Sequence, residues 1–440
     1  MMNILKKYDF NKFKDVDAII LLLLLFEITI FSLLNIRGLG NRLILLLLLL
    51  RLFVLSPCKK FKKRILISYL LIFIVYSLSA LLSDKFIPYS YYMNYKALLY
   101  TLTPLIYIVW LRIYRKSFFF STFENLFIFF NVFYIINLIV MCIQGQFHGF
   151  LSGFSNYENT FTPDLMSGLF GYEGTAQFGL YSIFVLIYDM YMLKYSKYKI
   201  ENKYIRYIID FILFISIVIS SSMNDNKANY ISLILVLFEF FMIEMGGKTE
   251  KERELTSKFI YAAFGIIVVF GIFLTFSDLS FLEKISPQLK GTVYLFRKAI
   301  FDPTSYQSGE IGSIERVYIP LYVLYHPQYI LFGAGTAFSN WQTAGTLGFP
   351  HFGQSDLSSF FALGGIFFCI IVFSIYNYFY LQIVGKVKDK VIFKISHFFV
   401  VFFYFFYTQP WTQSTLSICL LMLFIPLSML AKRVHSEECA

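Results

Sequence analysis

Apolar residues in this chain come in runs rather than stripes. AIILLLLLFEITIFSLL, LILLLLLLRLFVL and ILISYLLIFIVYSLSALL follow one another near the start, separated by short polar or basic stretches. A run of about 20 apolar residues matches the hydrocarbon thickness of a bilayer. The pattern predicts twelve spans, at roughly 17–36, 40–56, 65–83, 97–114, 123–144, 171–193, 206–221, 228–245, 259–277, 357–383, 392–408 and 411–430. The runs do not alternate as barrel strands would, and lipid forbids unpaired backbone, so every span is expected to be an α-helix. The predicted fold is an all-α, polytopic membrane protein forming a single integral domain over residues 1–440.

Two stretches between spans are unusual. Residues 145–170 hold no lysine or arginine, and residues 278–356 form a loop without an obvious domain of its own. Loops of that length are commonly functional. No internal repeat stands out, nor the pair of interrupted spans that marks many inverted-repeat transporters.

Charge orients the map. The chain is 58% hydrophobic and 15% charged, with a net charge of +11. On the twelve-span map, 27 lysines and arginines fall on the side that holds both ends of the chain, against 10 on the other, with Arg51 inside a span. The basic side is expected to be cytoplasmic. The positive charge is then a topology signal, and no nucleic-acid partner is expected. The five cysteines, Cys58, Cys142, Cys369, Cys419 and Cys439, have no CxxC or metal-ligand spacing and read as free thiols. The N-terminus has a basic region and an apolar core without a small-residue cleavage site, and reads as an uncleaved first span.

Several polar residues stand out. SIERVYIPLYVLYHPQYILFGAGTAF, residues 313–338, reads as a short surface helix begun by Ser313, bent by Pro320 and ended near Pro327, then a Gly333-Ala-Gly335 turn. Arg316 in its first turn is either a headgroup anchor or an anion ligand. His351, in GFPHFGQSDLSSFFALGG, is either a satisfied polar group at a membrane edge or a proton acceptor. Gly364 and Gly365 in the same stretch read as a site of close helix packing. Lys227, in SSSMNDNKANYISL, is either a plain loop lysine or a phosphate contact. Glu27, inside the first span, is expected to pair with Arg51 or to be neutral; a proton pathway is the alternative.

In order and topology these segments resemble the bacterial O-antigen polymerase and O-antigen ligase superfamily. The matching stretches are SIERVYIPLYVLYHPQYILFGAGTAF, PHFGQSDLSSFFALGG, SSSMNDNKANYISL and, more loosely, MSGLFGYEGTAQFGL. The resemblance implies a metal-independent glycosyltransferase without a cofactor. It would move a glycan from a polyprenyl pyrophosphate carrier onto an acceptor on the outer side of a bacterial cytoplasmic membrane. Its partners would be the lipid-linked oligosaccharide, the bilayer, and flippase and chain-length regulator proteins. Arg316 would hold the pyrophosphate, supported by Lys227 and Arg297. His351 would activate the acceptor hydroxyl, with Asp356, Glu315 and Glu310 as alternative bases. The sequence departs from the pattern at Met166, where relatives often carry arginine, and in the long spacing from His351 to Gly364, which offers the cluster Gln354-Ser355-Asp356 for the same slot. A repeat-unit polymerase is the leading expectation, a ligase of the same fold the second, and a lipid-linked glycan flippase or other transporter the third.

Overall fold

The computed structural model describes residues 16–27, 37–54, 59–82, 87–147, 166–170, 174–224, 277–285, 327–335, 355–385, 408–411 and 413–437, with single positions between 229 and 301 and at 401 and 403–406. Regular structure among them is helical. The main elements are α1 (Val16–Glu27), α2 (Arg37–Leu49, closed by a π-turn over Leu50–Val54), α3 (Lys59–Leu82), α4 (Pro88–Tyr114), α5 (Lys116–Asn125), α6 (Phe127–Gln146), α7 (Thr175–Tyr195), α8 (Lys203–Met223), α9 (Leu279–Ile285), α10 (Asp356–Val384) and α11 (Ser414–Glu437). Local chemistry sets several starts. Pro88 opens α4, where its missing N–H is harmless. Asn202 caps α8 by accepting from the backbone N–H of Tyr204 at 2.9 Å.

Six of these helices are long and apolar enough to cross a membrane, and Val16–Leu25 and Leu416–Leu430 are shorter apolar helices. Predicted spans 228–245, 259–277 and 392–408 are described only at scattered positions, helical within 229–244, 262–276 and 401–406. The described residues therefore carry fewer complete spans than the twelve expected. α3, α6 and α8 present apolar side chains such as Leu70, Leu71, Ile135, Ile139, Phe211 and Ile212 outward. Aqueous proteins seldom expose such faces, whereas a bilayer covers them. The molecule is an all-α membrane protein.

α7 is buried almost all round, as a central helix must be. It runs beside α11, with the Tyr191 hydroxyl donating to the Met429 carbonyl at 3.2 Å. Such contacts give the bundle two ends. At the first end, Arg112 Nε donates to Ser428 Oγ at 2.7 Å, Arg64 reaches the Tyr378 hydroxyl at 3.4 Å, and Glu124 accepts from the Lys197 N–H at 2.9 Å. At the second end, Ser79 Oγ donates to the Gly364 carbonyl at 3.3 Å, and the Asp356 N–H to the Thr408 carbonyl at 2.8 Å.

The first end is fastened by Asp17. Arg51 grips its carboxylate with two N–H donors at 2.8 and 2.9 Å, Tyr107 donates to it at 2.8 Å, and Arg115 completes the set. The start of α1, the turn after α2 and the end of α4 are thus tied together. This corrects the expected Glu27–Arg51 pair. Glu27 lies ten residues farther along α1, about 15 Å at the helical rise, and the Arg51 fork points to Asp17 instead. Asp17→Asn removes the charge that two guanidiniums share. Because Arg51 and Arg115 retain some exposure, 15% and 31% of their side chains, the expected loss is about 1–2 kcal/mol rather than that of a sealed pair. A lower unfolding temperature of the detergent-solubilised protein, with helical content unchanged, is the expected readout.

Candidate functional site

The second end gathers the polar segments that interrupt the apolar pattern. Its most unusual feature is a break in α10. Gly365 adopts φ 69° and ψ −166°, which ends one helical run and starts another. A positive φ of this kind is open to glycine and strained for other residues. Residues 327–335 fill the break. Pro327–Tyr329 form one 3-10 turn, and the chain then lies against α10. Ala334 and Gly335 donate their N–H groups to the Ala362 carbonyl at 2.7 and 3.3 Å, and Ile366 donates to the Ile330 carbonyl at 2.9 Å. With the Ser79 contact, these bonds satisfy polar groups that the interrupted helix releases. Non-helical backbone at membrane depth requires such partners.

The fit explains the glycines on both sides. A Cβ on Gly365 would sit 2.4 Å from the Leu331 carbonyl, and one on Gly333 would sit 2.5 Å from the Gly364 nitrogen. The expectation for Gly364 and Gly365 was close packing between helices. They instead receive a strap of irregular chain, so PQYILFGAG and FALGG form one unit in space.

The start of α10 is organised by Asp356. Its side chain is fully buried. Oδ2 accepts from the Trp411 N–H at 2.5 Å. Trp411 stacks on Tyr376 and Phe405, each at 4.5 Å between ring centres, while the Thr101 hydroxyl donates to its carbonyl at 2.7 Å. Asp356 therefore holds the 408–411 turn against α10, and a bound hydroxyl reaches its carboxylate only if that turn moves.

A row of side-chain amides crosses the same region. Gln177 near the start of α7 donates to Gln413 Oε1 at 3.4 Å, Gln413 donates to Gln409 Oε1 at 3.0 Å, and Gln409 reaches Ser359 Oγ at 3.5 Å. Two further buried amides hold residues 166–170 against α6. The Leu169 N–H donates to Asn137 Oδ1 at 2.6 Å, and the Gly168 N–H to Gln144 Oε1 at 2.9 Å. Met166 is buried in this segment.

Of the residues expected at the site, Arg316, Glu315, Glu310, Lys227 and His351 lie outside the described residues. Lys227 is bracketed in sequence by Asn224 and Asn229, both buried, and Asn229 donates to Ser221 Oγ at 2.9 Å. Arg297 is described, half-buried, with its guanidinium donating to the Ser277 carbonyl. That bond ties Arg297 to the residue preceding Asp278. Asp278 caps α9, and hydrogen bonds from the Ser280 hydroxyl and N–H hold its carboxyl below the usual carboxylate range. Asp356 and Arg297 are not shown in contact with one another. Among the described residues, no group of three or more His, Cys, Asp or Glu gathers as a metal site would. Cys142, Cys369 and Cys419 are free thiols.

The sequence reading passed over Gln177, Gln409, Gln413, Asn137 and Gln144, because it weighed charged residues and histidine. The available signal was the presence of amides within apolar runs or at their edges, where an unpaired one is costly once buried.

Comparison of the chain with protein-family models, with curated proteins and with solved structures finds no match in any of the three.

Proposed function

We propose that this protein is a glycan polymerase, joining polyprenyl-pyrophosphate-linked oligosaccharide repeat units on the outer side of a bacterial cytoplasmic membrane. The second end of the bundle faces outward in this reading. The observation that supports it most is the interlock of the strap with the α10 break. Two of the segments that resemble the polymerase and ligase superfamily meet in space, residues 327–335 of one docking on the α10 break of the other. A broken span braced by irregular chain is a feature of membrane sites that handle a substrate.

The reaction is an exchange at the anomeric carbon. The acceptor hydroxyl oxygen forms the new glycosidic bond, the bond from that carbon to phosphate oxygen breaks, and polyprenyl pyrophosphate leaves. Arg316, eleven residues before Pro327, neutralises the charge that builds on the leaving pyrophosphate. Lys227 and Arg297 are the supporting cations. His351 takes the hydroxyl proton, with Glu315 and Glu310 as alternatives. Asp356 acts as a positioning residue, since its carboxylate is engaged by the Trp411 N–H.

The test is a strain lacking the gene, with its surface and lipid-linked glycans resolved by size. Single repeat units at the surface without the long ladder support polymerase. Long polymer retained on its lipid carrier makes the protein a ligase. Repeat units trapped on the cytoplasmic side make it a flippase and overturn an enzymatic site at the outer end.

A further inference from the structure

The row of amides at the second end has no part in the exchange just described, and it joins elements that the sequence keeps far apart. Gln177 belongs to MSGLFGYEGTAQFGL, Ser359 to PHFGQSDLSSFFALGG, and Gln409 and Gln413 to TQPWTQ between them in space. The row is buried at both ends, at Gln177 and Ser359, and opens to the exterior at Gln413 between them. An amide carries two donors and an acceptor with two lone pairs. Gln413 uses one N–H on Gln409 and one lone pair for Gln177. Gln413 is exposed, and beyond those two bonds, which orient its amide, a second N–H and a second lone pair remain. A neutral donor and acceptor presented side by side match the adjacent hydroxyls of a sugar ring. They offer little to a phosphate or to a cation.

The location suits an acceptor. The turn carrying Gln409 and Gln413 is pinned to the first residue of α10 by the bond from Asp356 to Thr408. Gln409 reaches Ser359, and Ala362, where the strap docks, is three residues farther along α10, about 4.5 Å at the helical rise. One sugar ring spans about that distance between the amide row and the strap.

We propose that the Gln177–Gln413–Gln409 row is the subsite that binds the terminal sugar of the acceptor glycan. The proposal rests on the polymerase reading for its ligand. Gln413 presents the contact, and Gln177 and Gln409 hold its amide in plane as positioning residues.

The test uses the full-length protein in proteoliposomes. The acceptor probe is the free oligosaccharide repeat unit, released from the producing strain's lipid-linked pool by mild acid. It lacks the pyrophosphate and so serves only as acceptor. Gln413→Ala, at an exposed position, is expected to raise the acceptor KM about tenfold, with kcat at saturating acceptor within about twofold and unfolding temperature unchanged. Gln177→Leu is expected to shift KM in the same direction. An unchanged acceptor KM in a protein that still transfers removes the row from the acceptor site and leaves the polymerase reading intact. A lower kcat with unchanged KM has the same meaning. Direct binding of the oligosaccharide to purified protein separates the remaining cases. Binding that Gln413→Ala abolishes, without any transfer by the wild-type protein, overturns the enzyme reading and keeps the glycan site. Neither binding nor transfer overturns both.

Discussion

An Arg316→Ala protein is expected to reach the membrane at the normal level and to leave the strain with single repeat units in place of the long ladder. The leaving pyrophosphate gains charge as its bond to the sugar lengthens. A guanidinium fork meets phosphate oxygens with two parallel hydrogen bonds, which strengthen as that charge builds. Removing one such donor from a site that stabilises developing charge typically slows turnover about 10²–10³-fold. Arg316→Lys keeps the charge but loses the fork, so it is expected to recover only part of the rate. Ladder length on gels, compared at equal protein level, is the measurement. Full activity of the alanine variant would show that the pyrophosphate is held elsewhere, with Lys227 and Arg297 the next candidates.

The second large effect is expected at Gly365. Valine there adopts a left-handed backbone only at a penalty of about 1–3 kcal/mol. Its Cβ would also stand 2.4 Å from the Leu331 carbonyl, too close for either backbone to remain in place. The strap must then lift, and the bonds from Ile366 to Ile330 and from Ala334 to Ala362 break. Each polar group left without a partner adds about 1–3 kcal/mol. A loss of roughly 3–6 kcal/mol in the stability of this end follows, enough to populate an undocked strap or to prevent purification. A cysteine at Leu331, which is 48% exposed, would report undocking as faster labelling. Gly265→Ala is the matched control, because nothing lies within 4 Å of a Cβ there. An equally stable Gly365→Val protein with Leu331 labelling unchanged would mean that the strap does not depend on the break.

The helices were legible because their signal is redundant. An apolar run such as ILISYLLIFIVYSLSALL fixes helix α3 by length alone, whatever lies around it. The glycines at 333, 335, 364 and 365 were visible, as was the polar character of the segments around them. Their pairing was not, because a glycine's need for space is written in the neighbour's backbone and not in its own flanks. Asp17 was hidden for a related reason. It sits beside the basic N-terminal stretch and reads as one more surface charge, while its partners Arg51, Tyr107 and Arg115 come from other helices. The amides were missed differently. Gln177, Gln409 and Gln413 are neutral and weakly informative one at a time, and only their alignment in space makes them a row. The sites assigned by resemblance, Arg316, Lys227 and His351, lie outside the described residues.

The break in α10 also bears on how the protein is made. A span interrupted at Gly365 enters lipid with exposed backbone groups unless something covers them. Its cover, residues 327–335, lies earlier in the chain and leaves the ribosome first. At about 5–20 residues per second, the rest of α10 follows within several seconds. Ser79, which donates its hydroxyl to the Gly364 carbonyl, has by then been in the bilayer far longer. The order of synthesis therefore supplies each partner before the broken helix needs it, and moving the strap to a position after α10 would leave that helix unprotected during insertion.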